Sequence, residues 1–142
     1  MKEVQWTDDL SVGVGLIDEQ HKMLIQHLNN LIKSLNPHQG LTKIADTLSF
    51  LIDYTDFHFS TEEKHMAANN YPGLKHHKMK HDEFKTTLGN LEEEFKEEGA
   101  THVLADSIHT LLVNWLIKHI RVVDVEFGAF LKNKGIALPE EG

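Results

Sequence analysis

Four stretches of this chain carry apolar residues on steps of three and four, and in each of them a histidine occupies one of the steps. The first runs through Ile17, His21, Leu24, Leu28, Leu31 and Leu35, and the second through Ile44, Leu48, Leu51, Thr55, His58 and Glu62. The third runs through Leu74, His77, His81, Phe84, Leu88, Leu91 and Phe95, and the fourth through Leu104, Ile108, Leu111, Trp115 and His119. Such steps keep one face of an α-helix against a common core. The polar interruptions therefore share the buried face. An unpartnered polar group taken out of water costs roughly 2–7 kcal/mol. One core histidine with a partner is ordinary. Four helices that each bury one predict a bundle whose interior has something polar to hold.

Glycine and proline punctuate the helices. Gly13 and Gly15 lie in a loose opening segment, Asn36–Gly40 and Asn69–Gly73 are turn clusters, Gly99 marks a third turn, and Gly135 with Pro139 closes the chain. Asp18 and Thr101 are the expected N-caps of the first and fourth helices, and Pro72 the expected first-turn residue of the third. Short connections make neighbouring helices antiparallel. The fold class expected is all-α: an up-down-up-down antiparallel four-helix bundle. A single domain over residues 1–142 is expected, with an N-terminal arm (1–17), the bundle (18–124) and a short C-terminal helix and tail (125–142).

Composition removes several alternatives. The chain has no cysteine, which excludes disulfide scaffolds, thiolate zinc sites and iron–sulfur clusters. A formal charge of −8 with one arginine, Arg121, argues against nucleic acid as a partner. No apolar run approaches the ~20 residues of a membrane span, and the first nine residues lack the apolar core of a secretory leader, so the expected location is cytoplasmic. The 11 histidines are left to be explained.

Counting from the turns puts the inward polar residues at one height. From a first turn centred near residue 38, His21 lies 17 residues before and His58 20 after. From the second, near 70, His58 and Glu62 lie 12 and 8 before, while His77 and His81 lie 7 and 11 after. From the third, near 99, His81 is 18 before and His119 20 after. Mismatches of two or three residues amount to only ~3–5 Å of helix rise. His58 with Glu62 and His77 with His81 are i,i+4 pairs that present two ligands on one face. Asp124 follows His119 by five, a step that swings off an ideal α-helical face. It points inward only if the fourth helix ends, loosens or carries a bulge there.

These five histidines and two carboxylates exceed what one octahedral ion accepts. Five imidazoles, two bridging carboxylates and one bridging solvent oxygen fill all but one of the twelve positions on two six-coordinate ions. One small ligand could then bind one metal. Imidazole and carboxylate suit iron, manganese, copper or zinc, and six-coordination disfavours zinc. Leu24, Phe59, Trp115, Leu116 and Ile120 adjoin the set and would wall a dry pocket suited to a small neutral diatomic, although for each of them plain core packing is the simpler reading. The other histidines, His27, His38, His65, His76, His102 and His109, are assigned to surfaces and helix ends, and Glu63 is read as surface-facing.

The motifs Asp18-Glu19-Gln20-His21, His58-Phe59-Ser60-Thr61-Glu62-Glu63, His77-Lys78-Met79-Lys80-His81 and Trp115-Leu116-Ile117-Lys118-His119, with Asp124 five further on, resemble those of hemerythrins, most closely the stand-alone bacterial ones. The resemblance spans the chain from Trp6 to about Phe130. It implies a non-haem di-iron centre with a bridging oxo or hydroxo group. His77, His81 and His119 would hold one iron, His21 and His58 the other, and Glu62 and Asp124 would bridge. The function implied is reversible dioxygen binding for storage, transport or delivery, in a monomer that is not an enzyme and that serves an oxygen-using client. The competing readings are a di-iron oxidase, peroxidase or nitric-oxide-handling enzyme, and an oxygen- or iron-sensing module, which is weakened because the bundle uses up the chain. A histidine-rich site favours binding over oxidation, since ferritin-like oxidases use carboxylate-rich sites. Glu62→Ala or His58→Ala should lower iron below two per chain and loosen the ligand end. Retention of two irons would show the ligand set to be wrong.

Overall fold

The computed structural model describes residues 3–35 and 40–139. It has four helices and, among the described residues, no strand: α1 at Gly15–Ser34, α2 at Gly40–Ala68, α3 at Leu74–Glu98, and α4 over residues 102–133. A 3-10 turn at Asp8–Leu10 precedes them. The helices form the expected bundle, packed in chain order around a core that includes Leu24, Leu28, Leu51, Phe84, Leu88 and Leu112. The turn expected at Asn36–Gly40 lies, except for Gly40, outside the described residues, as does His38.

Several expected boundaries move. α1 begins at Gly15, behind Val14, so Gly15 belongs to the helix and Asp18 is not its cap. Asp18 sits in the first turn, where its carboxylate accepts from the Val12 N–H at 2.8 Å and the Ser11 hydroxyl at 2.5 Å. The acid therefore ties down the arm and also sits at the positive end of the helix dipole. α3 starts at Leu74 behind Gly73, and Pro72 lies in the preceding turn. Thr101 does cap α4, its hydroxyl accepting from the Leu104 N–H at 3.0 Å.

α4 departs most from simple periodicity. It is α-helical at His102–Ser107, π-helical at Ile108–Val113, α-helical at Asn114–Lys118, π-helical again at His119–Asp124, and α-helical at Val125–Asn133. The short C-terminal helix is thus continuous with the helix before it. Each π turn holds more residues than an α turn. Leu104, Ile108, Leu112, Leu116, Ile120 and Asp124, spaced by uniform steps of four, all remain buried. In a pure α-helix those 20 residues would drift by roughly 200° and leave the core face. The same shift corrects the expected stripe: Leu111 is 48% exposed, and Leu112 takes its place at 0%.

The N-terminal arm straps α1 to α4. The Val4 N–H donates to Asn29 Oδ1 and Asn29 Nδ2 donates back to the Val4 carbonyl, both at 2.7 Å. Arg121 meets Asp9 at 2.6 Å, and Leu10 and Val12 are buried. Val12 crosses α4 so closely at Gly128 that an added methyl would run into the Val12 carbonyl oxygen. Gly128→Ala should therefore displace the arm and destabilise the protein by about 1–3 kcal/mol in denaturant unfolding. Unchanged stability would show that the arm does not pack there.

Candidate metal centre

Seven polar side chains from all four helices converge in the core. His21 comes from α1, His58 and Glu62 from α2, His77 and His81 from α3, and His119 and Asp124 from α4; none is more than 3% exposed. The second π turn of α4 runs from His119 to Asp124. Its wider turn brings residues five apart onto one side, which is the loosening that Asp124 needs to face inward.

The carboxylates sit at the middle of the cluster. Glu62 Oε1 lies 3.1 Å from His58 Nε2, 3.3 Å from His81 Nε2 and 4.0 Å from His77 Nε2. Asp124 divides its oxygens: Oδ1 lies 2.8 Å from His77 Nε2 and 3.2 Å from His119 Nε2, while Oδ2 lies 2.9 Å from His21 Nε2. Two sets of donor atoms can each close on one ion, with all atoms of a set within 4.8 Å of one another. One set is Glu62, His77, His81, His119 and Asp124; the other is His21, His58, Glu62 and Asp124. Both include the same two carboxylates.

These atoms are close without satisfying each other. Both carboxylate oxygens of Glu62 and Asp124 and the Nε2 atoms of His21, His77, His81 and His119 are buried with no hydrogen-bond partner. Buried groups left without partners are rare and call for an explanation. Lone pairs aimed at common points instead of at one another suit cations, and the residues present fit a pair of metal ions.

The electrostatics agree. Burial and the neighbouring Asp124 charge push the Glu62 carboxyl up, but His58 and His81 outweigh them and hold it at about 2. Burial likewise raises Asp124, yet His119 and His21 bring it well below the usual carboxylate range. Burial disfavours the His81 cation, but the nearby Glu62 carboxylate and the bonded Glu63 carboxylate raise its pKa to about 9. Burial dominates at His58 and lowers it. Both carboxylates are thus ionised at neutral pH, as a cation site requires.

Two further contacts correct the sequence reading. Glu63 is not surface-facing: its Oε2 accepts from the His81 Nδ1–H at 2.8 Å, with its side chain 24% exposed. Burial raises the Glu63 carboxyl, but His81, Lys78 and Lys85 lower it further, so it is ionised. Gln20, buried and missed from the sequence, accepts from the His58 Nδ1–H at 2.7 Å. The only available signal was adjacency, since Gln20 precedes His21 and Glu63 follows Glu62.

The comparisons with known proteins agree with this geometry. Residues 12–131 match the model of the hemerythrin HHE cation binding domain. The chain belongs to the hemerythrin family. It is 32% identical over 127 residues to the bacteriohemerythrin of Stenotrophomonas maltophilia, covering 89% of this chain and 80% of that one. It is 30% identical to the bacteriohemerythrin of Methylococcus capsulatus, covering 92% and 98%, and 28% identical to the myohemerythrin of Sipunculus nudus, covering 86% and 88%. The crystal structure of a wild-type hemerythrin superimposes with a TM-score of 0.81 at 29% identity, over 90% of this chain and 97% of that one.

Of the residues expected to wall the hemerythrin-like centre, Phe59 lies flat on His81, with ring centroids 3.8 Å apart and 3° between planes. Trp115 stacks on His119 at 4.4 Å and 11°, and is partly exposed. Leu24, Leu116 and Ile120 are buried within a turn of His21 or His119. Among the remaining histidines, His65 is buried at the end of α2, His27 packs on Tyr54, His109 is half-buried, and His76 and His102 are exposed. At pH 7 metal-free His81 holds a proton on Nε2, since pH 7 lies below its pKa of about 9. A metal needs that nitrogen bare, so loading with ferrous iron at pH 7 should release at least one proton per chain. The release should fade as pH rises through 9. A proton count near zero in weak buffer at pH 7 would show His81 to be neutral before loading.

Proposed function

We propose that this chain binds dioxygen reversibly at a di-iron centre, for oxygen storage, transport or delivery. His77, His81 and His119 would hold one iron, His21 and His58 the other, and Glu62 and Asp124 would join them. The observation that carries the assignment is the division of Asp124 between its two oxygens, one toward His77 and His119 and one toward His21. It is supported by the two donor sets sharing the same carboxylates.

The bound irons would supply the electrons and the open coordination position that dioxygen needs. The chain supplies the remainder. Three histidines in one set and two in the other leave the His21–His58 side poorer in ligands, so that side would keep the open position. Phe59 and Trp115, stacked on His81 and His119, hold those rings and exclude water together with Leu24, Leu116 and Ile120. A dry wall favours a small neutral ligand and slows proton entry. Among the described residues, His65 is the only other buried titratable side chain besides the seven. That scarcity of acid–base groups supports binding over turnover. We extend the reading to a single-domain cytoplasmic monomer that serves an oxygen-using client.

The test is to reduce the protein anaerobically, add oxygen, and remove it. Two irons per chain and a visible charge-transfer band that comes and goes over repeated cycles are expected. Irreversible oxidation with release of a reduced-oxygen product would overturn the carrier reading.

A further inference from the structure

We propose that Gln20 and Glu63 are positioning residues that make the two metal positions electronically unequal. The inference rests on the di-iron reading above. Of the five core histidines, His58 and His81 have a hydrogen-bonded Nδ1, whereas Nδ1 of His21, His77 and His119 has no partner. One oriented histidine falls in each donor set. The two acceptors differ in kind: His58 donates to a neutral amide oxygen at 2.7 Å, and His81 to a carboxylate at 2.8 Å.

Either bond fixes the tautomer, keeping the proton on Nδ1 and turning Nε2 toward the carboxylates. They do not act equally on the metal. A carboxylate draws the Nδ1 proton harder than an amide does and leaves Nε2 the stronger electron donor. It also adds a negative charge beside that set. The position held by His77, His81 and His119 is therefore biased toward the ferric state. The position held by His21 and His58 gets a weaker donor and no extra charge, and is biased toward ferrous, the state that binds dioxygen. The placement is regular: each positioning residue adjoins a metal-set residue on its own helix and bonds a histidine on the next one. Gln20 adjoins His21 on α1 and holds His58 on α2, while Glu63 adjoins Glu62 on α2 and holds His81 on α3.

The experiment uses the iron-loaded full chain and two nearly isosteric variants, Glu63→Gln and Gln20→Glu, each of which keeps an acceptor oxygen for the same Nδ1–H. Iron content, midpoint potentials and Mössbauer spectra are read together. Glu63→Gln should retain two irons and shift a one-electron equilibrium about tenfold toward ferrous, a rise of ~59 mV. Gln20→Glu should retain two irons and shift in the opposite direction. Glu63→Leu, which removes the acceptor, should lower iron affinity by roughly 10–100-fold, and Glu63→Gln should not. Two irons in both charge variants with the one-electron equilibria shifted less than twofold, or shifted in the same direction, would overturn the inference and leave the di-iron reading intact. A wild-type protein that takes up no iron pair would overturn both.

Discussion

Everything in this bundle is arranged around buried oxygen and nitrogen atoms that cannot satisfy one another. Apolar packing accounts for most of the core, but a purely apolar interior would have been the simpler solution. Two ionised carboxylates and five imidazoles are costly to bury. They stay in place because each helix holds its share rigidly, and because their lone pairs converge on two points that cations can fill. The centre is therefore a liability to the metal-free chain and a stabilising element once loaded, the usual coupling of metal binding to folding.

The helices that must meet most accurately are α1 and α4, since His21 and Asp124 face each other at 2.9 Å from opposite ends of the sequence. The arm joins them. Asp18 holds it at the start of α1, Asn29 clamps Val4 a few turns on, and Asp9 reaches Arg121 within the π turn that carries His119 and Asp124. What reads in the sequence as a loose opening segment thus braces the ligand end from outside.

Much of this was legible in the sequence. The steps of three and four revealed the four helices and the inward histidines, because an α-helix repeats its facing without regard to tertiary context. The height count from the turns worked because antiparallel helices rise at equal rates. The difficulty with Asp124 was visible as an i+5 mismatch, and the structure resolves it with a π turn. Other features were hidden for physical reasons. Leu111 was misplaced because the first π turn shifts the register, and nothing in Ile108–Val113 announces it. Asp18 looked like a cap because caps and arm-binding acids share the same chemistry. Gln20 and Glu63 could not be found by helical facing, since each acts on a neighbouring helix and the required geometry exists only after packing.

The two π turns make the length of α4 a form of information. Each accommodates roughly one residue more than an α turn would, so the inner face of the helix is set by how many residues precede it as well as by which they are. Removing a single residue from Ile108–Val113 would let that π turn close to an α turn and leave His119 and Asp124 facing as they do, whereas adding one would turn them by roughly 100° relative to Leu104. Substitutions along the outer face of α4 are then far easier to absorb than a one-residue insertion. Insertions among relatives should accordingly gather in the connections between helices and avoid the stretch between Thr101 and Asp124.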